Sequence, residues 1–533
     1  MKKISNKKKK LSAIIILIII VMTLAMMSIE VFYKVKLTFA SDISHNNIIP
    51  KPLSYENGKG KFVFTKGSSI YVKGKTEEET KEINEIAEFI RKKLKVSTGF
   101  EINIKEGDKG PKGSIYLTTI GSEENQGDEG YKIVTTPNSV KITAYKPEGI
   151  SRGVQTLRQL LPPEIEKNTV VSNVEWSIPS STIYDKPEYA YRGLMIDVAR
   201  HFFTVDEIKR QINLAAQYKI NKVHLHLSDD QGWRLEIKKY PDLTLIGGST
   251  EVGGGPGGYY TQEQFKDIVE YAEDRYVEIV PEFDMPGHSN AALASYGFLN
   301  PDGKKKLLYT DTKVGFSSFM TRNEKTYEFI EDVIKEVSAI SPGKYFHIGG
   351  DEADSTPKAE YDYFVGRVSK IVEKYGKTPV GWDPIDTSPE INSSVVLQNW
   401  KDSNEEARKK GMKMIISIAK KAYLDMKYNE STPYGLDWAG YIPIETAYKW
   451  DPTEYAPKEL VLGLEAPLWT ETIDNVKAMD YMIYPRLLGY AEIGWTPKNS
   501  RNWEEYKVRL GKQGVRMQNQ GIDYYRDSSI WGN

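Results

Sequence analysis

A chain of 533 residues exceeds one ordinary core, and its 40% apolar content is that of a globular protein. With 72 basic against 73 acidic residues it lacks the cationic surplus of a nucleic-acid binder. The complete absence of cysteine excludes disulfides, thiol catalysis and cysteine–zinc sites.

The first segment carries an export pattern. Lys2, Lys3, Lys7, Lys8, Lys9 and Lys10 form a cationic head before an almost wholly apolar run, 11–29. Thr38-Phe39-Ala40 supplies small residues for cleavage after Ala40. The run is also about as long as the ~20 residues that span a bilayer, so an uncleaved anchor is the competing expectation. Residues 1–45 are therefore set apart as signal peptide or membrane anchor.

Residues 48–185 read as a small α+β domain. Short β-rich runs fall at 61–64, 69–73, 100–104, 114–118, 131–134 and 139–145. Between them, Thr76 and Glu79 form a capping box, and Ile83, Ile86, Phe89, Ile90 and Leu94 recur at helical spacing. A second helix is expected over 149–161, stopped by Pro162-Pro163. Nothing in this domain has a catalytic pattern.

From residue 189 the rhythm changes. Strand-like runs at 193–198, 222–227, 277–283, 345–348, 378–382, 395–400, 413–418 and 460–464 alternate with helical segments. Two of those helices open on capping boxes, Thr204 to Glu207 and Thr261 to Gln264. Eight such units imply parallel strands with crossover helices, hence a (β/α)8 barrel over 189–533, although helices in the last four units are short. A barrel of this kind carries its chemistry just beyond the carboxyl ends of its strands. The polar residues there are Arg200, Asp229, Asp284 with His288, and Asp351 with Glu352 after the first four strands. Trp382 with Asp383, Trp400, Tyr423 with Asp425, and Trp469 with Glu471 follow the others.

Three chemistries compete. His224 and His226 share one face of a strand and could hold a metal, but no third ligand stands at a defined spacing. The tryptophans Trp382, Trp400, Trp438 and Trp469, all at one end of the barrel, suit the flat faces of sugars, which a non-catalytic lectin would also use. The stretch HIGGDEADST places Asp351 and Glu352 side by side, where successive side chains diverge. They cannot clamp one bond from opposite faces, but they can reach two atoms of one substrate.

Four motifs in order now carry a resemblance. They are Arg192-Gly-Leu-Met-Ile-Asp197-Val-Ala-Arg200-His201, His224-Leu-His226-Leu-Ser-Asp229-Asp230-Gln-Gly-Trp233, Pro281-Glu-Phe-Asp284-Met-Pro-Gly-His288 and His347-Ile-Gly-Gly-Asp351-Glu352. Together they resemble the signatures of family-20 glycoside hydrolases, the β-N-acetylhexosaminidases, from about residue 50 to the C-terminus. The resemblance implies substrate-assisted retaining catalysis, in which the 2-acetamido oxygen attacks its own anomeric carbon, an exception to the two-carboxylate rule. It implies Glu352 as general acid/base, Asp351 on the acetamido nitrogen and Tyr423 on the acetamido oxygen. It further implies Trp382, Trp400 and Trp438 around the acetamido group and Trp469 beneath the sugar. Arg200, Asp425 and Glu471 would bond hydroxyls, and Asp229 and His288 would tune Glu352 and face the aglycone. The implied partner is an N-acetylhexosaminide, and no metal or organic cofactor is implied.

Overall fold

The structure is a computed structural model describing residues 47–108 and 110–532. The expected export segment, 1–45, lies outside the described residues. Among those described, no helix is long and apolar enough to cross a membrane.

The first layer is a seven-stranded mixed sheet. Its strands are β1 (Ser54–Val63), β2 (Ser69–Lys73), β3 (Asn103–Glu106), β4 (Ser114–Thr118), β5 (Tyr131–Thr136), β6 (Ser139–Ala144) and β7 (Ser177–Asp185), in the order β1-β7-β5-β6-β4-β2-β3. Helices Glu77–Thr98 and Pro147–Leu160 bury Ile83, Ile90, Leu94, Val154 and Leu157 in one core with Ile70, Ile115 and Ile142 of the sheet. The Thr76 side chain accepts from Glu79 N, as its spacing requires. Strand β7 is not foreseen by the sequence. Its serines and proline have weak strand preference, and it forms because β1 and β5 pair with it on either side.

The second layer is a closed parallel barrel of eight strands. They are β8 (Tyr191–Asp197), β9 (Lys222–His226), β10 (Glu278–Glu282), β11 (Tyr345–His347), β12 (Thr378–Trp382), β13 (Val396–Asn399), β14 (Met414–Ile416) and β15 (Val461–Leu468). Each expected barrel strand is present. The capping boxes at Thr204 and Thr261 both form at the starts of their helices. The late units do have short helices, Glu405–Lys410 and Ala419–Ala422 among them.

The barrel interior has two chemically distinct levels. Tyr191, Val280, Tyr345, Val380, Val396 and Ile415 form a buried apolar cluster at the lower level. Side chains on a strand repeat every second residue, so the next inward position up each strand is two residues on. Those positions are Gly193, Glu282, His347, Trp382, Gln398 and Ser417, joined by His224 and Glu465. The upper level is therefore polar, and it lies directly beneath the strand ends. Gly193 is glycine for a packing reason: a Cβ there would stand 2.5 Å from Glu465 Oε2.

The two layers are fastened by buried ions. Arg192 of β8 pairs with Glu129 of the sheet domain, and Lys219 pairs with Asp185 at 3.0 Å. The long helix Trp503–Asn519 near the C-terminus adds a second fastening, with Arg516 against Glu166 at 3.3 Å.

Candidate active site

The loop after β11 is built to turn two acids apart. Gly349 and Gly350 take φ of 65° and 102°, in the left-handed region that side chains avoid. A Cβ on Gly349 would stand 1.7 Å from Asp284 Oδ1. The loop is clamped from three sides: Gly350 N donates to Asp284 Oδ1 at 2.9 Å, Trp382 N donates to Gly349 O at 2.9 Å, and Tyr361 Oη donates to Gly350 O at 2.7 Å. Beyond it, Glu352 itself has φ of 42°, and His288 has φ of 48°. Non-glycine residues held there are strained, and such strain gathers where surrounding contacts fix a functional geometry.

Glu352 is turned towards the mouth, its side chain 35% exposed and one oxygen 3.4 Å from His288 Nε2. His288 Nδ1 lies 3.0 Å from Asp229 Oδ1, and Arg200 reaches Asp229 Oδ2 at 2.8 Å. Burial would discharge His288, but Asp229 and Asp284 outweigh it and hold the ring as an imidazolium. Burial would likewise raise the Glu352 carboxyl. The hydrogen bond and charge of His288, followed by the Arg200 charge, hold it below the usual range instead.

Asp351 faces a different environment. It is buried, and burial raises its carboxyl, with the Glu352 charge adding to the effect. Its charge and that of Asp425 add to burial in keeping the Tyr423 hydroxyl protonated. Tyr423 is the centre of an aromatic wall: its ring lies 6.4 Å from Trp400, 5.9 Å from Trp438 and 6.2 Å from Trp469. Arg200, Asp351, Glu352, Tyr423, Asp425, Trp469 and Glu471 line one cavity with these rings. Several acceptors there, Asp351 Oδ1, both oxygens of Asp425 and Glu471 Oε2, are buried with no protein donor. Buried acceptors of this kind call for donors from a ligand, and sugar hydroxyls and amides are such donors.

Comparison with known proteins agrees with this geometry. Residues 189–498 match the model of the glycosyl hydrolase family 20 catalytic domain, and residues 45–186 match that of family 20 domain 2. The chain belongs to glycosyl hydrolase family 20. Among relatives, a β-N-acetylhexosaminidase of Cellulomonas fimi is 36% identical over 91% of this chain and 96% of its own length. A Streptomyces plicatus N-acetyl-β-hexosaminidase structure, in complex with Thio-NAglucal, is 46% identical with a TM-score of 0.86, covering 92% of this chain and 98% of that one. The family 20 β-N-acetylhexosaminidase of Streptomyces coelicolor A3(2) superposes with the same TM-score of 0.86 at 45% identity, over 91% of this chain and 99% of that one.

Within this family-20 site, three expected residues stand off the cavity surface. Trp382 is fully buried, because it occupies the inward position at the end of β12 rather than a loop. Its Nε1 donates to Glu282 at 2.7 Å, and its ring backs Trp469 at 5.7 Å. Asp229 and His288 are also buried and touch Glu352 and Arg200, so they stand behind the acid instead of lining the cavity. The other nine expected residues line the cavity together.

The metal reading of His224 and His226 does not survive the geometry. His226 has Nδ1 2.5 Å from Glu282 Oε2 and Nε2 2.9 Å from Asp229 Oδ2. His224 has Nδ1 2.9 Å from Glu465 and Nε2 3.0 Å from Glu282. His224, Glu282 and His347 do bring three ligand atoms within 4.8 Å, but all three are fully buried and leave no open position of the kind a catalytic metal keeps.

The residues missed by sequence reasoning are the buried ones that orient the family-20 site. Asp197 caps the end of β8, accepting from Ala199 N at 2.9 Å and Thr470 N at 3.1 Å. Asp383, which the sequence places at a strand end without assigning it a role, accepts from Trp400 N at 2.9 Å and so sets that ring. Glu282 and Glu465 sit inside strands. An acid within an otherwise apolar barrel strand was the available signal for both.

Proposed function

We propose that this protein is a retaining, exo-acting β-N-acetylhexosaminidase that removes terminal β-linked N-acetylhexosamine with help from the substrate's own acetamido group. One observation carries the reading: two adjacent acids have diverged into two environments, Asp351 buried beside Tyr423 and Glu352 partly exposed at the mouth beside His288. In the first step the acetamido oxygen bonds to C1 while the C1–O bond to the aglycone breaks. Glu352 gives its proton to the departing oxygen. Asp351 holds the acetamido N–H and offsets the positive charge that develops there, and Tyr423 donates to the acetamido oxygen. In the second step water bonds to C1, the C1–acetamido oxygen bond breaks, and the Glu352 carboxylate takes the proton from water.

The test is a pair of aryl β-glycosides that differ only at C2, one with acetamido and one with hydroxyl. The expected result is turnover of the first and little of the second. Equal rates on both would remove the acetamido group from the mechanism.

We also propose export, with the N-terminal segment as cleaved signal or retained anchor. The lysine head and the apolar run 11–29 support this. Mass measurement of the protein from medium and from membranes tests it: cleavage after Ala40 gives the shorter chain in the medium, and an anchor gives the full chain in membranes. Full-length protein confined to the cytoplasm would overturn export.

A further inference from the structure

Below the cavity, one carboxylate is shared by groups that serve both halves of the site. Glu282 is fully buried in β10. Its Oε2 lies 2.5 Å from His226 Nδ1 and 3.0 Å from His224 Nε2. Its Oε1 accepts from Trp382 Nε1 at 2.7 Å and lies 3.0 Å from His347 Nδ1. The strand register produces this: Glu282 is level with His226 on one side and with His347 on the other.

From Glu282 a chain of opposite charges runs upward. His226 joins it to Asp229, Asp229 to His288, and His288 to Glu352. Burial would discharge His226, but Glu282 leads the groups that keep it charged, with Asp229 and Asp197. The other groups facing His226 are Asp284 and the Trp469 ring, near-perpendicular to it with centroids 5.0 Å apart. A second arm runs from Glu282 through the Trp382 indole to Trp469 and the aromatic wall.

We propose that Glu282 is the positioning residue for both halves of the reaction, setting the acid through His226, Asp229 and His288 and setting the sugar-side wall through Trp382. The inference rests on the hydrolase reading above. Glu282 is not a catalytic residue, since it touches neither the cavity nor any reacting atom. Three of its neighbours, His226 Nδ1, His224 Nε2 and Trp382 Nε1, present N–H groups to its acceptor oxygens, whereas His347 Nδ1 accepts from Gly349 N at 3.0 Å and does not donate to it. A glutamine of the same shape has one acceptor oxygen and an NH2 that can only donate, so at least one of the three N–H contacts would become donor against donor.

The experiment measures kcat/KM on a series of aryl N-acetyl-β-glucosaminides with leaving groups from dinitrophenol to phenol. It compares wild type, His226→Gln, Trp382→Phe, Glu282→Gln and, as a stability control remote from the cavity, Glu166→Gln. Wild type must first discriminate between the C2 acetamido and hydroxyl substrates. If it does not, the hydrolase reading fails, whatever the variants do. His226→Gln is expected to steepen the dependence on leaving-group pKa, with loss of about tenfold on phenol and under about threefold on dinitrophenol, because only the poor leaving group needs the acid in place. Trp382→Phe keeps a ring but removes the N–H, and a uniform loss of about tenfold without steepening is expected. Glu282→Gln is expected to show both. Uniform losses in His226→Gln with unchanged slope and pH profile, or full activity in Trp382→Phe, would overturn the proposal. Because the two arm variants are read separately, a Glu282→Gln protein that does not fold leaves the test intact.

Discussion

Glu352 and His288 meet at 3.4 Å, and each is held at a positive φ, 42° and 48°. The acid and its partner are thus both fixed by backbone that would relax if the surrounding clamp let go. The contact also sets the charge of the acid. An imidazolium facing a carboxyl favours the ionised form, yet the acid must be protonated to act.

Replacing His288 by glutamine removes that cation. The Glu352 pKa is held down by His288, so its removal raises it, and the basic limb of the kcat/KM profile moves to higher pH. The maximal rate falls at the same time. A pH profile of His288→Gln against wild type checks the direction, and a limb that stays or moves down contradicts the assignment.

Glu352→Gln loses the proton donor. On an aryl N-acetylhexosaminide with a poor leaving group, kcat/KM is expected to fall by about 10²–10⁴, with a much smaller fall on the dinitrophenyl substrate. Added azide, which needs no general base, is expected to restore the second step. Equal losses on both substrates would place the acid elsewhere.

Gly349→Ala tests the turn that separates the acids. The new Cβ would stand 1.7 Å from Asp284 Oδ1 at a φ of 65°. The left-handed backbone alone costs about 1–2 kcal/mol for a residue with a side chain, and the clash adds to it. Thermal melting should fall by several degrees and activity should be lost. A variant with native melting and rate would show that the glycine pair is not required.

Trp438 is 57% exposed at the cavity edge, whereas Trp469 is buried to within 9%. Trp438→Ala therefore removes the solvent-facing outer part of the wall beside Tyr423 and Trp400, and KM is expected to rise about fivefold, equivalent to about 1 kcal/mol of ring contact, with kcat little changed. Trp469→Ala is expected to lower kcat as well. Steady-state kinetics on both variants separate the two outcomes.

Acid should loosen the joint between the layers. Burial alone would raise the Glu166 carboxyl, but Arg158, Lys93 and Arg516 hold it down from 4.5 to about 2. A carboxyl whose folded pKa is depressed stabilises fully above its unfolded value and loses that contribution as pH falls through the folded one. The window is thus about pH 4.5 down to 2. Glu166→Gln is expected to cost roughly 3 kcal/mol at neutral pH, with the gap from wild type closing across that window. Denaturant melts at stepped pH measure it.

The barrel was legible because its strands are buried on both faces and read as apolar runs between capped helices. The lining residues were legible because the chain must put its chemistry just past each strand. What was not legible lies across the barrel rather than along the chain. No local pattern pairs Glu282 with His226 and Trp382, which are 56 and 100 residues away. The same blindness put Trp382 on the cavity wall, since its sequence position, at a strand's end, does not say whether the ring points in or out. Strand β7 escaped because its pairing, not its composition, makes it a strand.

The apolar level formed by Tyr191, Val280, Tyr345, Val380, Val396 and Ile415 closes the barrel from below. Glu282 and its imidazoles therefore have no watery exit downward. The side of that interior that faces solvent is the cavity, so deuterium should reach the histidines from the mouth. A sugar in the cavity would then cover the open side of that interior, and exchange at the histidines should slow when a substrate analogue is bound.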